Sequence, residues 1–390
     1  MKKVYVCFIC FALFLSLIVS EYNSISVNAY NADLFNHFTS DSYVLLDHDS
    51  GKVLVHKNEN EKLQVASICK LMTSLIVLEK LDSGVISLDQ QIIASEHAAS
   101  MEGSQAFIDA GSKYKVCDLL KSVIVASAND SAVALAEAVS GSELAFVNLM
   151  NQKAKELGMN NTVYANATGL YSSNQYSTAF DTAIVLKCVN KYDIYRQYAN
   201  IWMDDFVHPS GRVTELVNTN RLIKYYDYCK SGKTGFTDEA GYCLSSVASN
   251  GNLNLIAVTL KCKNASDRFK ESMELFNYGF ANFENKKVLD SKSDINKQVE
   301  VVGGKQSMAQ LKLKQDFYAL LKKGDNQQIS IKYDIKSNIK APAKSGDKVG
   351  VAIVVNQGKI IGEVDVVLCD DILNQTFGDI VYKIVNNWSI

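Results

Sequence analysis

Four residues, Ser67-Ile68-Cys69-Lys70, open an apolar run that continues through Leu71, Met72, Leu75, Ile76 and Leu78. That spacing predicts a helix ending near Leu81, at Asp82-Ser83-Gly84. Residues three apart share a helix face, so the Ser67 hydroxyl and the Lys70 amine fall within hydrogen-bond reach. A serine hydroxyl is a poor nucleophile at neutral pH and needs a base beside it. A lysine kept partly deprotonated by burial and nearby charge supplies one. The same spacing arises by chance in many helices, as a capping serine and a surface lysine. Only further matching elements give it chemical meaning.

Two such elements lie downstream. Ser127-Ala128-Asn129-Asp130 separates helical patterns over Val116 to Val125 and Ser131 to Val139. Lys233-Thr234-Gly235 opens a block that reads as strands. Alone, the first is a helix-start cap and the second a turn. In this order with Ser67 and Lys70 they form the S-x-x-K, S-x-N and K-T-G set of active-site serine penicillin-recognising enzymes.

The remaining patterns supply a frame. Tyr43 to Leu46 and Lys52 to His56 read as a hairpin. Phe146 to Leu157 and Ser177 to Tyr192 read as helices, and Leu216 to Leu222 as extended. Gly241 to Ala248 and Leu253 to Lys261 read as strands about a Ser249-Asn250-Gly251-Asn252 turn, and Arg268 to Phe283 as helix. Strands, then helices, then strands and a last helix predict an α+β catalytic domain over 30–284, an antiparallel sheet with a helical lobe. The polar stretch Asn285 to Lys297 reads as a boundary. Beyond it, 298–302, 310–314, 328–335, 348–355 and 359–368 have strand length, with a tight turn at Asn356-Gln357-Gly358. They predict a smaller all-β C-terminal domain over 297–370. In the tail, 371–390, an amphipathic helix carries Phe377, Ile380, Val381, Ile384, Val385 and Trp388 on one face. It is either a core helix of the β domain or a membrane-surface anchor, with Lys383 the only basic residue on its polar face.

Lys2 and Lys3, an apolar run from Val4 to Val19, and Val27-Asn28-Ala29 describe a secretory signal peptide over 1–29. The run is short for a retained anchor. The protein is therefore expected in the cell envelope, at the outer face of the cytoplasmic membrane or secreted. Of nine cysteines, Cys7 and Cys10 fall in this leader. The other seven are odd in number and scattered, unlike a disulfide framework or a zinc site. A net charge of −2 and the lack of a basic stripe give no reason to expect a nucleic-acid partner. The five histidines form no H-E-x-x-H, and no G-x-S-x-G occurs. A metallopeptidase and an α/β-hydrolase are thereby disfavoured, and no metal or cofactor is expected.

From Asp41 to Leu368 the chain resembles the low-molecular-mass penicillin-binding proteins that are serine-type D-Ala-D-Ala carboxypeptidases, peptidase family S11. Ala66-Ser67-Ile68-Cys69-Lys70-Leu71-Met72-Thr73 is similar to the family's A-S-x-T-K-x-M-T, and Ser127-Ala128-Asn129-Asp130 to its S-A-N-D. Lys233-Thr234-Gly235-Phe236-Thr237, with Ala240-Gly241-Tyr242, is similar to its K-T-G-x-T and A-G-Y. Cys69 stands where threonine is usual, Val65 where proline is usual, and Lys230-Ser231 for an acidic-glycine pair. Cys69 reads as a small packed residue rather than a second nucleophile.

The resemblance implies a β-lactamase/transpeptidase-like fold. It also implies removal of the terminal D-alanine from peptidoglycan pentapeptide stems through an acyl-enzyme on Ser67, with β-lactam antibiotics as acylating inhibitors. In that scheme Lys70 takes the Ser67 proton, and Ser127 and Lys233 relay one to the leaving amine. Asn129 holds Lys70 and the substrate backbone. The N–H groups of Ser67 and Phe236 receive the oxyanion. The substrate lies along the strand at Gly235, with its carboxylate on Arg268 and Thr234. β-Lactamase or transpeptidase chemistry on the same fold stays open, as does a non-catalytic envelope-binding protein. Between the S-x-N and K-T-G elements Glu215 makes no convincing counterpart of a β-lactamase's deacylating glutamate.

Overall fold

The computed structural model describes residues 32–324 and 328–387. The leader expected over 1–29 and Trp388 of the tail lie outside them. The chain divides into two compact units: Met1–Ala248 with Leu255–Phe276, and Ser249–Asn254 with Asn277–Ile390.

The first unit is built on a five-stranded sheet. Strands β1 (Ser42–Asp47) and β2 (Val53–Lys57) form the expected antiparallel hairpin. Strands β3 (Cys229–Thr237), β4 (Gly241–Asn250) and β5 (Leu253–Cys262) complete the order β2-β1-β5-β4-β3. Strand β1 pairs antiparallel with β5, Tyr43 opposite Thr259, so distant parts of the chain close one sheet. Every residue of β1 is buried, because the sheet is covered on both faces there. Strand β3, which carries Lys233, ends the order and so presents an edge.

The helical lobe contains α1 (Lys70–Asp82), α2 (Val116–Val125), α3 (Asn129–Ser140), α4 (Glu143–Glu156) and α5 (Ala179–Val189). Leu71, Met72, Leu75, Ile76 and Leu78 of α1 are all buried in one core with these helices. Each such burial contributes about 1.5–3 kcal/mol. The lobe departs from the sequence expectation at two places. Thr178 caps α5 by accepting the Asp181 N–H, and α5 stops at Val189, with a separate short helix at Asp193–Ala199. The strand expected to reach Leu222 ends at Val217. There the Asn218 side chain donates to the carbonyls of Ala199 and Ile201 and accepts the Asn220 N–H, which turns the chain.

The second unit is β-rich. Its six-stranded sheet runs in the order Ile329–Ile335, Lys348–Asn356, Lys359–Leu368, Met308–Leu313, Gln298–Val302, Asn338–Lys340. Gln357 and Gly358 both have positive φ, +49° and +80°, as a two-residue type I′ turn between paired strands requires. The stretch read as a polar boundary, Asn285 to Lys297, begins inside a strand, Phe283–Leu289, paired antiparallel with Phe317–Lys322, and only its remainder is irregular. The strand's Glu284, Lys286 and Lys287 are exposed, and this polar face hides it in the sequence. The tail helix spans Phe377–Asn387. Phe377 is 82 % exposed and Val381 and Ile384 are exposed, so these residues do not form a core helix of the β domain. Among the described residues no single helix is long and apolar enough to cross a membrane.

Candidate active site

Ser67 lies in a 3₁₀ turn, Ala66–Cys69, that precedes α1, rather than in α1 itself. In a 3₁₀ turn the side chains at i and i+3 eclipse. Lys70, the first residue of α1, therefore places Nζ 3.0 Å from Ser67 Oγ. The same amine donates to Asn129 Oδ1 at 2.5 Å and to the Thr168 carbonyl at 2.6 Å. Lys70 is 1 % exposed, and burial lowers its pKa to about 7, against opposing pulls from Cys69 and Asp130. Near neutral pH a large fraction of this amine is free base, able to take a proton from the hydroxyl it touches.

Asn129 opens α3 and is held from two sides. Its side-chain amide donates to the Glu102 carbonyl, and its backbone N–H to the Ser104 carbonyl at 2.7 Å. Asp130, buried beside it, accepts the N–H groups of Ala106 and Ile108 at 3.0 and 3.1 Å. The 102–108 loop is thereby strapped to the start of α3. Ser127 is buried in a left-handed conformation, φ +66°, and its hydroxyl has no hydrogen-bond partner among the described residues.

Strand β3 brings the third element. Lys233 is buried, and Nζ donates to the Thr234 carbonyl at 3.0 Å. Burial, then the charges of Lys70 and Arg268, push its pKa well below the ordinary lysine range. Lys70 and Lys233 thus share one electrostatic site. The Thr234 hydroxyl donates to Thr219 Oγ1 at 2.7 Å. A Cβ on Gly235 would sit 2.4 Å from the Val65 carbonyl, so only glycine lets the strand pass this close to the nucleophile's turn. Gly169, at φ +82°, is tighter still: a Cβ there would lie 2.0 Å from the Ala66 carbonyl and 2.9 Å from the Ser67 nitrogen.

Arg268 stands near the start of α6 (Asp267–Asn282). Its guanidinium donates to the carbonyls of Gly235 at 3.0 Å and Cys243 at 3.4 Å and lies 5.4 Å from the Tyr242 ring. No carboxylate pairs with it among the described residues, and its Nε is buried without a partner. Phe236 is half exposed and stacks on Tyr242, ring centroids 4.3 Å apart. Cys69 donates its thiol to the Asn166 carbonyl at 3.3 Å, and burial pushes its pKa up to about 12. A thiol so buried and protonated does not compete with Ser67.

The structure thus gathers Ser67, Lys70 and Asn129 by direct hydrogen bonds and Lys233 by electrostatic coupling, and it ties Arg268 of α6 to β3 through the Gly235 carbonyl. The sequence reading missed the Thr168 carbonyl, the Glu102 carbonyl and the Thr219 hydroxyl. Backbone carbonyls leave no signature in side-chain motifs. Among the described residues no group of three or more His, Cys, Asp or Glu is arranged to hold a metal ion.

A family model described as D-alanyl-D-alanine carboxypeptidase matches residues 27–264, and one described as penicillin-binding protein 5, C-terminal domain, matches residues 283–373. D-alanyl-D-alanine carboxypeptidase DacF of Bacillus subtilis (strain 168) is 37 % identical over 347 residues, covering 89 % of each chain. D-alanyl-D-alanine carboxypeptidase DacC of Escherichia coli (strain K12) is 33 % identical over 339 residues, 85 % of this chain and 83 % of that one. Among solved structures, penicillin binding protein 5 from Haemophilus influenzae is similar with a TM-score of 0.71 at 30 % identity, over 86 % of this chain and 98 % of that one. A match spanning most of the first unit, a second over the β-rich unit and relatives alike along nearly their whole length place the chain in the peptidase S11 family, the serine-type D-alanyl-D-alanine carboxypeptidases.

Proposed function

We propose that the enzyme removes the terminal D-alanine of a peptidoglycan stem through an acyl-enzyme on Ser67, with Lys70 as the base. One observation carries this assignment: the buried Lys70 amine lies 3.0 Å from the Ser67 hydroxyl, in surroundings that lower its pKa by desolvation. Ser67 Oγ attacks the carbonyl between the two D-alanines as its proton passes to Lys70 Nζ. The N–H groups of Ser67 and Phe236 receive the oxyanion. The C–N bond breaks as that proton is relayed from Lys70 through Ser127 and Lys233 to the leaving amine, which returns Lys70 to its free base. Water, deprotonated by Lys70, then hydrolyses the ester and frees the shortened stem. The open edge of β3 offers the substrate backbone a place to pair. Arg268, with no carboxylate partner, and Thr234 receive the terminal carboxylate. Penicillin acylates the same serine. In a D-alanine release assay on a soluble pentapeptide, Ser67→Ala is expected to lose at least about 10³-fold in rate. Fast penicillin hydrolysis without D-alanine release would assign a β-lactamase instead.

The same reading places the protein outside the cytoplasmic membrane, exported by 1–29 and held by its tail helix. The exposed Phe377, Val381 and Ile384 support the second point. Deleting 377–390 is expected to move the protein from the membrane fraction to the soluble one without changing D-alanine release. Retention on membranes would show that the tail is not the anchor.

A further inference from the structure

The 102–109 loop, which fixes Asn129, carries a strain of its own. Phe107 sits at φ +62°, a left-handed conformation that a bulky side chain adopts only at a cost. Such a conformation persists where neighbouring contacts over-determine it. One grip is the Asp130 carboxylate, which accepts the N–H groups flanking Phe107, those of Ala106 and Ile108. The second grip is Arg212. Its Nη2 donates to the Phe107 carbonyl at 2.5 Å and to Asp109 Oδ1 and Oδ2 at 3.0 and 3.1 Å. The strained residue is thus held between two charged groups.

Arg212 comes from a separate element. It closes the turn of a two-stranded hairpin, Met203–Val207 with Val213–Val217, where the His208 N–H donates to its carbonyl at 2.8 Å. Phe206 and Leu216 bury this hairpin in the core of the lobe. His208 is buried as well. Its Nδ1 lies 3.2 Å from Arg212 Nη2 and 3.2 Å from the Tyr114 hydroxyl, and its Nε2 lies 2.9 Å from Thr214 Oγ1. Burial and the charge of Arg212 hold this imidazole below the usual histidine range, so it stays a neutral acceptor. The Tyr114 hydroxyl accepts the Asp109 N–H at 2.9 Å. The guanidinium therefore has a fixed seat. The other end of the hairpin runs into Asn218 and Thr219, and Thr219 Oγ1 accepts the Thr234 hydroxyl. One hairpin thus joins the K-T-G strand to the loop that fixes Asn129.

We propose that Arg212 is a positioning residue for the acylation step. It holds the 102–109 loop in its strained form, so that the Glu102 and Ser104 carbonyls fix Asn129, and Asn129 fixes the Lys70 amine on Ser67. The inference rests on Lys70 being the base. The effect of Arg212 passes through the loop, and the half-exposed Arg212–Asp109 pair adds little to global stability.

The test measures D-alanine release from a soluble pentapeptide by the full-length protein, with kcat and KM determined separately. Arg212→Met is expected to lower kcat by about 10- to 10²-fold and to change KM less than about threefold, with the urea midpoint nearly unmoved. Asn129 Oδ1 accepts from the Lys70 ammonium and so favours its charged form. Cys69, Asp130 and Lys233 also face Lys70, and none of them is replaced. The acid limb of the rate profile is therefore expected to move to lower pH, by about half a unit. Arg212→Lys, which keeps the charge and a donor, should restore the rate in part. Phe107→Gly removes the strain, since glycine adopts φ +62° freely. In that background Arg212→Met is expected to cost less than about threefold in kcat. The proposal is overturned if Arg212→Met keeps kcat within about twofold of the parent or changes KM alone. It is overturned equally if the substitution costs as much beside Phe107→Gly as it does alone. Lys70→Met and Ser67→Ala are measured alongside. Activity retained in either of those would remove the base or the nucleophile itself, a result distinct from failure of the Arg212 role.

Discussion

Replacing Lys70 by methionine is expected to slow acylation by penicillin at least about 10³-fold, the upper range of what a positioned general base contributes. The side chain touches the Ser67 hydroxyl, Asn129 and Thr168, and methionine keeps its length while removing the amine. The pH profile of the parent enzyme carries the same information. Burial holds the Lys70 pKa at about 7, so the acylation rate should rise with pH through that value as the amine loses its proton. Stability follows with a definite sign. The folded pKa lies below the unfolded value of 10.5, so the unfolded chain binds more protons between about pH 7 and 10.5. Stability therefore increases with pH across that window, and below pH 7 the penalty for burying the charged amine is present in full. Lys233, shifted in the same direction, adds to the slope. Denaturant midpoints measured from pH 7 to 10 should rise less steeply in Lys70→Met than in the parent. An unchanged slope together with an unchanged acylation rate would remove Lys70 from the base role.

Gly169→Ala is expected to lower acylation by about 10²-fold or more, although Gly169 bears no reactive group. At φ +82° a methyl group is strained, and it would meet the Ala66 carbonyl at 2.0 Å and the Ser67 nitrogen at 2.9 Å. The backbone must shift, and the N–H of Ser67 shifts with it. Loss of one oxyanion donor costs a factor of roughly 10²–10³. Gly84→Ala is the control: its φ is +71°, yet a Cβ there meets nothing within 4 Å. It should cost about 1 kcal/mol in stability and leave acylation unchanged. Equal acylation by the two variants would mean that the Gly169 contact does not position Ser67.

The chemistry was legible in this sequence to the extent that it resides in side chains. Ser67, Lys70 and Asn129 could be named from spacing and motif order, and the structure joins them at hydrogen-bond distance. The helix α2 and the strands 298–302 and 359–368 were legible because apolar periodicity reaches their ends. The strand Phe283–Leu289 was not, since its exposed charged residues imitate a linker. The 3₁₀ geometry at Ser67 was not legible either, because the i, i+3 spacing fits both helix types. The clamp of Lys70 on Thr168 and of Asn129 on Glu102 passes through backbone carbonyls. Only the folded chain reveals such partners.

The central claim is that Ser67 is the acylated residue. The most direct measurement is the mass of the intact protein after brief exposure to benzylpenicillin, followed by peptide mapping of the adduct. The account predicts one penicilloyl group, located on the peptide containing Ser67 and absent from Ser67→Ala. An adduct on another residue, or one that persists in Ser67→Ala, would contradict it.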